Sequence, residues 1–406
     1  MTSIAERVRD FNHSRLPAYT AIKYQVMAEN AFRFLRGTCH IFYEDLQNVS
    51  LQSNGPLPAS PLTWICGDLH LENFGTYKGD NRLVYFDLND YDEGQLAPAG
   101  WELARMVTSI YTGLGSLGVR KKDATRMAGI FLKVYAGTLA KGRARYLEPR
   151  TAQGIVRTFL ENVSERRQKD LIKQRTVSKN DRQLLRVDQV RFFPLEKTLK
   201  RELIRHIQAW MGKDPYLRKR YQVRDAAFRV AGTGGLGVKR YCFLARNIAE
   251  PKKHLLIDMK QALPSSLSAW SRVPQPLWGS EADRIVAIQE RMQNVPPALL
   301  STTFFHEEPF VVKEMQPTAD KIDFLLMKDR HKDIECVVRD MALLTASAHL
   351  RSAGRQGAAG PDEIIAYGKD PQWQPGLLAY AATYAEQVKK DYQEYFKAYK
   401  AGYFER

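Results

Sequence analysis

Cysteine is scarce and scattered. The four residues of this type, Cys39, Cys66, Cys242 and Cys336, share no CxxC spacing. That argues against a disulfide framework or a clustered zinc site and fits a reducing compartment, the cytoplasm. Long apolar runs are missing as well; none approaches the roughly eighteen residues of a spanning helix, so no membrane span is expected. The opening MTSIAERVRDFNHSR carries charges early and has no apolar stretch, so it does not read as a secretory signal. No repeat period or low-complexity tract stands out. Acids are in deficit, 45 against 61 lysines and arginines, for a net charge of +16. An excess of that size favours a polyanionic partner, whether nucleic acid, an anionic membrane surface or a phosphorylated ligand, or else a solvated basic face.

What is present is an ordinary globular balance, 44% hydrophobic and 26% charged over 406 residues, enough for two or three packed units. Three-to-four spacing of apolar residues predicts a helix over 20–47, a loop over 49–61, and strands at 62–66 and 82–88. Helical periodicity returns over 100–141. Residues 142–222 read as predominantly helical and strongly basic. Strand-like alternation follows over 226–263, then a helix at 281–293, strands at 301–306 and 309–315, and helices over 320–353 and 376–402. The expected fold class is α+β, with a small antiparallel β unit (223–318) inserted between two parts of a larger helical unit (1–222 and 319–406).

The richest segment is CGDLHLENFG at 66–75, which places Asp68, His70 and Asn73 in one loop after an apolar strand. A second strand delivers FDLNDYDE at 86–93. Together they gather oxygen ligands of the kind phosphoryl transfer needs: a carboxylate to orient an acceptor hydroxyl, and an amide with a second carboxylate to hold magnesium. Asp and Asn also cap turns routinely. Asp90, Asp92 and Glu93 are further acids nearby, with Asp90 either supporting the metal or simply solvated. His70 reads as a hydrogen-bond donor that steadies the loop, since no partner histidine stands at ligand spacing.

A second signal is GTGGLG at 232–237, between two strand-like runs. Glycines let a backbone close over phosphates with its N–H groups free, although hairpins use the same residues. Lys260 follows in LLIDMKQAL, 23 residues after Gly237. A glycine turn followed by a strand lysine is how kinases hold ATP phosphates. In that arrangement a helical glutamate pairs with the lysine; Glu281 and Glu290 are on offer, with Glu290 slightly preferred for lying inside the helix, unless either is simply an exposed surface acid.

GDLHLENFG resembles the catalytic loop of aminoglycoside phosphotransferases and choline kinases. FDLND resembles their magnesium strand, and APAGWELAR at 97–105 their following segment, with Glu102 in the acidic place. Cys66 stands where that group often has histidine. The resemblance implies Asp68 as the catalytic aspartate, Asn73 and Asp87 as metal ligands, and ATP and Mg2+ as cofactors. It also implies Gly232, Gly234, Gly235, Gly237 and Lys260 on the phosphates. FVVKEM at 310–315, leading into QPTADK, either resembles an interlobe hinge, with backbone groups of Glu314 to Gln316 meeting adenine, or is a plain buried strand. The order of these parts is reversed relative to a kinase, and LLTASAHLRS (343–352) resembles the helix that usually precedes a catalytic loop, so a circularly permuted two-lobed fold is expected. The whole pattern, including Arg36 in FLRG, resembles the bacterial domain-of-unknown-function family 2252 over most of 20–355. Arg36 either touches a phosphate or substrate or pairs with a buried acid.

Three functions follow as expectations. The first is an ATP-dependent kinase acting on a small molecule or protein. The second is AMP transfer on the same scaffold. The third is a nucleic-acid-associated binding protein, motivated by the basic stretch 142–222, which carries no helix-turn-helix or RNA-binding signature.

Overall fold

The structure is a computed structural model that describes residues 2–52, 57–180, 182–316 and 320–405. Four helices open the chain: α1 (Ile4–Asn12), α2 (Pro17–Met27), α3 (Ala31–Gly37) and α4 (Cys39–Gln52). The continuous helix expected over 20–47 is therefore broken twice. Asn30 is extended and its side chain accepts from the Arg33 N–H, starting a new helix where periodicity alone predicts none.

Strands β1 (Leu62–Ile65), β2 (Phe74–Lys78), β3 (Val84–Leu88) and β4 (Gln95–Pro98) follow. They form two small antiparallel ladders, β1 with β4 and β2 with β3. Helices α5 (Ala99–Ser116), α6 (Lys121–Ala140), α7 (Gly154–Ser164) and α8 (Gln168–Arg175) come next. The basic stretch expected to be mainly helical also holds a hairpin, β5 (Thr176–Lys179) with β6 (Arg182–Leu185), and the short β7 (Phe192–Phe193), before α9 (Lys197–Gly212) and α10 (Pro215–Arg220).

The main sheet is built from β7, β8 (Tyr221–Arg229), β9 (Arg240–Asn247), β10 (His254–Gln261), β11 (Ser301–Phe305) and β12 (Glu308–Glu314), all antiparallel. Its order is β11-β12-β10-β9-β8-β7. Helix α11 (Glu281–Met292) lies between β10 and β11 in the chain. A one-turn 3-10 helix (Phe324–Met327), α12 (His331–Ser352), α13 (Pro361–Lys369), α14 (Trp373–Lys400) and a final 3-10 turn (Tyr403–Glu405) complete the order. The helix expected from 320 begins only at His331, and α13, which follows a Gly-rich turn, was not foreseen.

Strand alternation explains how the sheet divides its labour. Leu255, Ile257 and Met259 of β10 join a core with Leu203, Ile207 and Met211 of α9. The intervening Asp258 and Lys260 point to the other face, because successive strand side chains alternate. The sheet's core thus draws on α9, which lies before the boundary expected at 222. A larger core joins β1–β3 to α5, α6, α11 and α12. A third core packs the first helices against the last, with Ile4, Val8, Phe34 and Phe42 meeting Tyr384, Val388 and Tyr395. Among the described residues no helix is long and apolar enough to cross a membrane.

Candidate functional site

The loop after β1 is held from beneath. Glu102, in the first turn of α5 and fully buried, accepts from the backbone N–H of Cys66 (2.7 Å) and of Gly67 (3.2 Å). Its other oxygen meets His349 Nε2 at 2.7 Å, and His349 Nδ1 meets the Tyr135 hydroxyl at 2.7 Å. One buried chain of hydrogen bonds therefore runs from α6 through α12 to α5 and the loop. Gly67 has φ +83°, and a Cβ there would lie 2.2 Å from the Glu93 carbonyl oxygen, so no other residue fits without moving backbone.

Asp68 is clamped by Arg105, whose Nε and Nη2 both reach Oδ1, at 2.8 and 2.6 Å. Oδ2 accepts no hydrogen bond among the described residues; His70 Nε2 stands 3.9 Å away. Asn73 ties the loop to the turn after β3. Its amide nitrogen donates to Asp68 O (2.9 Å) and Asp90 O (3.3 Å), and its oxygen accepts from the Asp90 N–H (2.9 Å). His70, expected to donate, accepts from the Glu72 N–H at Nδ1 (3.0 Å), with Arg36 Nε standing 3.3 Å from Nε2. Burial, with the neighbouring Arg36 charge, holds its pKa well below the ordinary imidazole value, so the ring is neutral at pH 7. Arg36 pairs with Glu72, and it also borders the cavity beside Asp68.

The glycine turn faces this loop. A cavity of about 220 Å³ is lined by Asp68, Asp90, Asp92 and Glu93 on one side and Gly234 and Gly235 on the other, with Arg15, Lys23 and Arg36 at its margin. An adjoining cavity of about 610 Å³ is lined by Asn73, Gly232, Asp258, Lys260, Lys313, Glu314, Gln316 and Lys321, and by the same Asp90 and Asp92. The two share Asp90 and Asp92 and read as one cleft between the sheet and the early loops. A Cβ at Gly235 would sit 3.4 Å from Lys260 Cε, so the turn lies against the lysine. Arg15 ties the turn to the N-terminal helices by donating to Gly234 O (2.7 Å) and Leu236 O (3.1 Å). Gly237 also approaches that segment, and a Cβ there would meet Thr20 Oγ1 at 2.7 Å.

Lys260 bonds Asp92 and lies 3.9 Å from Asp90. Burial works against its charge, but Asp90 and Asp92 hold the ammonium above its ordinary pKa. The two acids are pulled apart in turn. Against burial, Lys260 and Lys313 keep Asp90 down at about 2, while burial and the Asp90 charge raise Asp92. Neither helical glutamate takes the expected part. Glu290 is exposed on α11, and Glu281 pairs with Arg284 (2.6 Å). The lysine's partner comes instead from the turn after β3, because α11 turns Ile285 and Ile288 toward the helical core.

Asp87 also departs from expectation. It is 2% exposed inside β3, accepts from its own Leu88 N–H, and faces Arg351 at 3.4 Å. Burial pushes its pKa up to about 6. It lines neither cavity, whereas Asp90 and Asp92 line both. Around the expected hinge, the Glu314 N–H donates to Ala298 O and the Met315 N–H to Leu256 O, so both are spent within the β unit. The Gln316 side chain exchanges two hydrogen bonds with the Lys78 backbone, bridging sheet and hairpin. Residues 317–319 of QPTADK lie outside the described residues.

Sequence reading missed Lys313, Lys321 and Asp258. Asp258 lies between Arg229 and Arg240, and Arg240 also donates to Ala231 O beside the glycine turn. Alternation along LLIDMKQ was the available signal, since it puts Asp258 and Lys260 on one face; Lys313 is opposite Asp258 in register.

A model of a family described as uncharacterized proteins conserved in bacteria matches residues 15–398, nearly the whole chain. No curated protein and no solved structure matches.

Proposed function

The chain belongs to that bacterial family, domain of unknown function 2252, and we propose that it is an ATP- and Mg2+-dependent, kinase-like phosphotransferase acting on a small-molecule or protein acceptor. One observation carries the reading. The Asp68–Asn73 loop, the Asp90/Asp92 turn, the glycine turn and Lys260 come from stretches about 160 residues apart in the chain and line a single cleft. Phosphoryl transfer asks a protein chiefly for positioned charge, and this is a set of that kind.

The connectivity supports a permuted two-lobed arrangement. Lys260 lies on the third of three consecutive strands, the first two flanking the glycine turn, as in protein kinases. The residues after α12 run beside β1, with the Ala359 N–H donating to Leu62 O (2.8 Å) and Trp64 Nε1 to Arg355 O (2.8 Å). A chain entering β1 directly from α12 would need little rearrangement, and termini that pack together tolerate such a reordering.

Among the described residues no group of three or more His, Cys, Asp or Glu is arranged to hold a metal. Mg2+ ordinarily takes one or two carboxylates plus substrate phosphates, and Asp90 and Asp92 fit that need. When bound, the ion neutralises charge on the β- and γ-phosphates. Asn73 fixes Asp90 by two hydrogen bonds and Asp68 by a third, and does not need to be a ligand itself. Lys260, Lys313 and Lys321 line the larger part of the cleft and offer cations for phosphate oxygens. Asp68 offers Oδ2 to orient an acceptor hydroxyl, while Arg105 fixes the carboxylate through Oδ1.

The test compares wild type with Asp68→Asn. The variant keeps Mg2+-dependent ATP binding within about threefold and loses at least about 100-fold in phosphate release or transfer. Full activity in the variant would remove Asp68 from its role. Mass spectrometry of the products distinguishes an added phosphate from an added AMP.

A further inference from the structure

A second cavity, of about 1020 Å³, opens on the β unit and shares no lining residue with the cleft. Its walls come from four places. Lys169 and Lys173 stand on α8, Arg182 on β6, Arg224 and Arg246 on β8 and β9, and Lys252 and Lys253 on the β9–β10 turn. No carboxylate among the described residues lines it. Only Lys253 has an acidic partner, Glu250 at 2.7 Å; among the described residues the other six form no ion pair. Six of the seven side chains are exposed, and the half-buried Arg246 has a buried Nε with no acceptor. Some burial and the charges of Arg246 and Arg182 lower the Arg224 pKa below its ordinary value. Like charges converging without counter-charge cost free energy in the free protein, and an anion relieves that cost.

We propose that this cavity binds the phosphodiester backbone of single-stranded nucleic acid. A lone phosphate is usually gripped at one point by backbone N–H groups or a forked arginine. Here the cations are spread over separate elements around a concavity of about 1020 Å³, which suits successive phosphates. Tyr221 on the lining offers a ring on which a base stacks. Three cations of the basic stretch 142–222, Lys169, Lys173 and Arg182, meet those of β8, β9 and the β9–β10 turn across one hollow. It stands independently of the phosphotransfer reading.

The experiment is fluorescence anisotropy with a labelled single-stranded RNA 20-mer (length about 20, chosen to span one site), starting near 50 mM salt and titrating upward. Wild type binds, and log K falls linearly with log salt. Arg182→Gln/Arg224→Gln/Arg246→Gln weakens binding at least tenfold and flattens the slope by about 2, since each lost single-strand phosphate contact removes about 0.7. The exposed set Lys169→Gln/Lys173→Gln/Lys252→Gln does the same. A control removing three exposed charges elsewhere, Lys122→Gln/Lys133→Gln/Lys369→Gln, changes little. Equal losses in control and cavity variants, or no binding at low salt, overturn the proposal. So does a phosphopeptide or an anionic vesicle whose binding depends on these residues while that of RNA does not. A labelled duplex of the same length binds more weakly than the single strand; the reverse order also overturns it.

Discussion

Replacing Glu102 by alanine removes the acceptor for three buried donors at once: the Cys66 and Gly67 N–H groups and His349 Nε2. Glu102 and His349 are fully buried, so water does not readily substitute. Each donor left unpaired costs about 1–3 kcal/mol. These losses are not additive, because the loop relaxes; about 3–5 kcal/mol in total is expected, a large part of the roughly 5–15 kcal/mol that holds a domain folded. Glu102→Gln makes the contrast. Its carbonyl oxygen still accepts both backbone N–H groups, and its amide donates to His349 Nε2. The imidazole then changes tautomer and donates from Nδ1 to the Tyr135 hydroxyl oxygen. That variant is expected to lose about 1 kcal/mol or less. Urea denaturation at pH 7.5 measures both. If glutamine proves as damaging as alanine, the carboxylate acts through its charge and the hydrogen-bond account is wrong. If alanine costs under about 1 kcal/mol, the loop is not held from below.

Gly67→Ala places a methyl against the Glu93 carbonyl at a positive φ; it should lower the melting temperature sharply or abolish soluble expression, and an unchanged melting curve would contradict the packing. Asp90→Asn weakens Mg2+-dependent nucleotide binding by about tenfold or more, whereas Asp87→Asn leaves it within about threefold, as calorimetric titration would show; the opposite ranking restores Asp87 as the ligand. Lys260→Met reduces nucleotide affinity by about 10–100-fold, the value of a charge-assisted hydrogen bond, with the same assay deciding. Asp340 sets a pH dependence of stability. Burial raises its pKa to about 7, and its Oδ2 has no partner among the described residues. Between about pH 4 and 7 the folded chain therefore keeps a proton that the unfolded chain releases, so stability falls as pH rises through that window and stays low above it. Asp340→Asn flattens this fall and stabilises the protein at pH 8 by on the order of 2–4 kcal/mol; melting curves with the same pH slope in both proteins would refute it.

Much of this was legible because the informative residues sit in short, locally determined segments. CGDLHLENFG and the glycine turn declared their loops through residue type, and strand alternation put Lys260 on an identifiable face. What sequence could not provide was the choice among neighbours. Asp87 and Asp90 are three apart and chemically alike; only the end of β3 decides that one is interior and the other opens onto the cleft. The lysine's partner was sought on a helix, yet Asp92 reaches it because the turn after β3 meets the sheet, a contact across 168 residues. Helix breaks at Asn30 and Thr38 were masked by a continuous apolar period. The β5–β6 hairpin hid in a composition rich in lysine and arginine, which suits a helix surface as well as an exposed strand. Glu102's role was suggested by resemblance, but its link to His349 depends on α12 packing beside α5, a tertiary fact.

The central claim is that ATP lies between the glycine turn and the Asp90/Asp92 turn. Crystals soaked with a nonhydrolysable ATP analogue and magnesium test it most directly. The account predicts the triphosphate within hydrogen-bonding distance of Lys260, with Asp90 on the metal and the terminal phosphate directed toward Asp68. Nucleotide bound anywhere else on the molecule, or a cleft still empty at millimolar analogue, would contradict it.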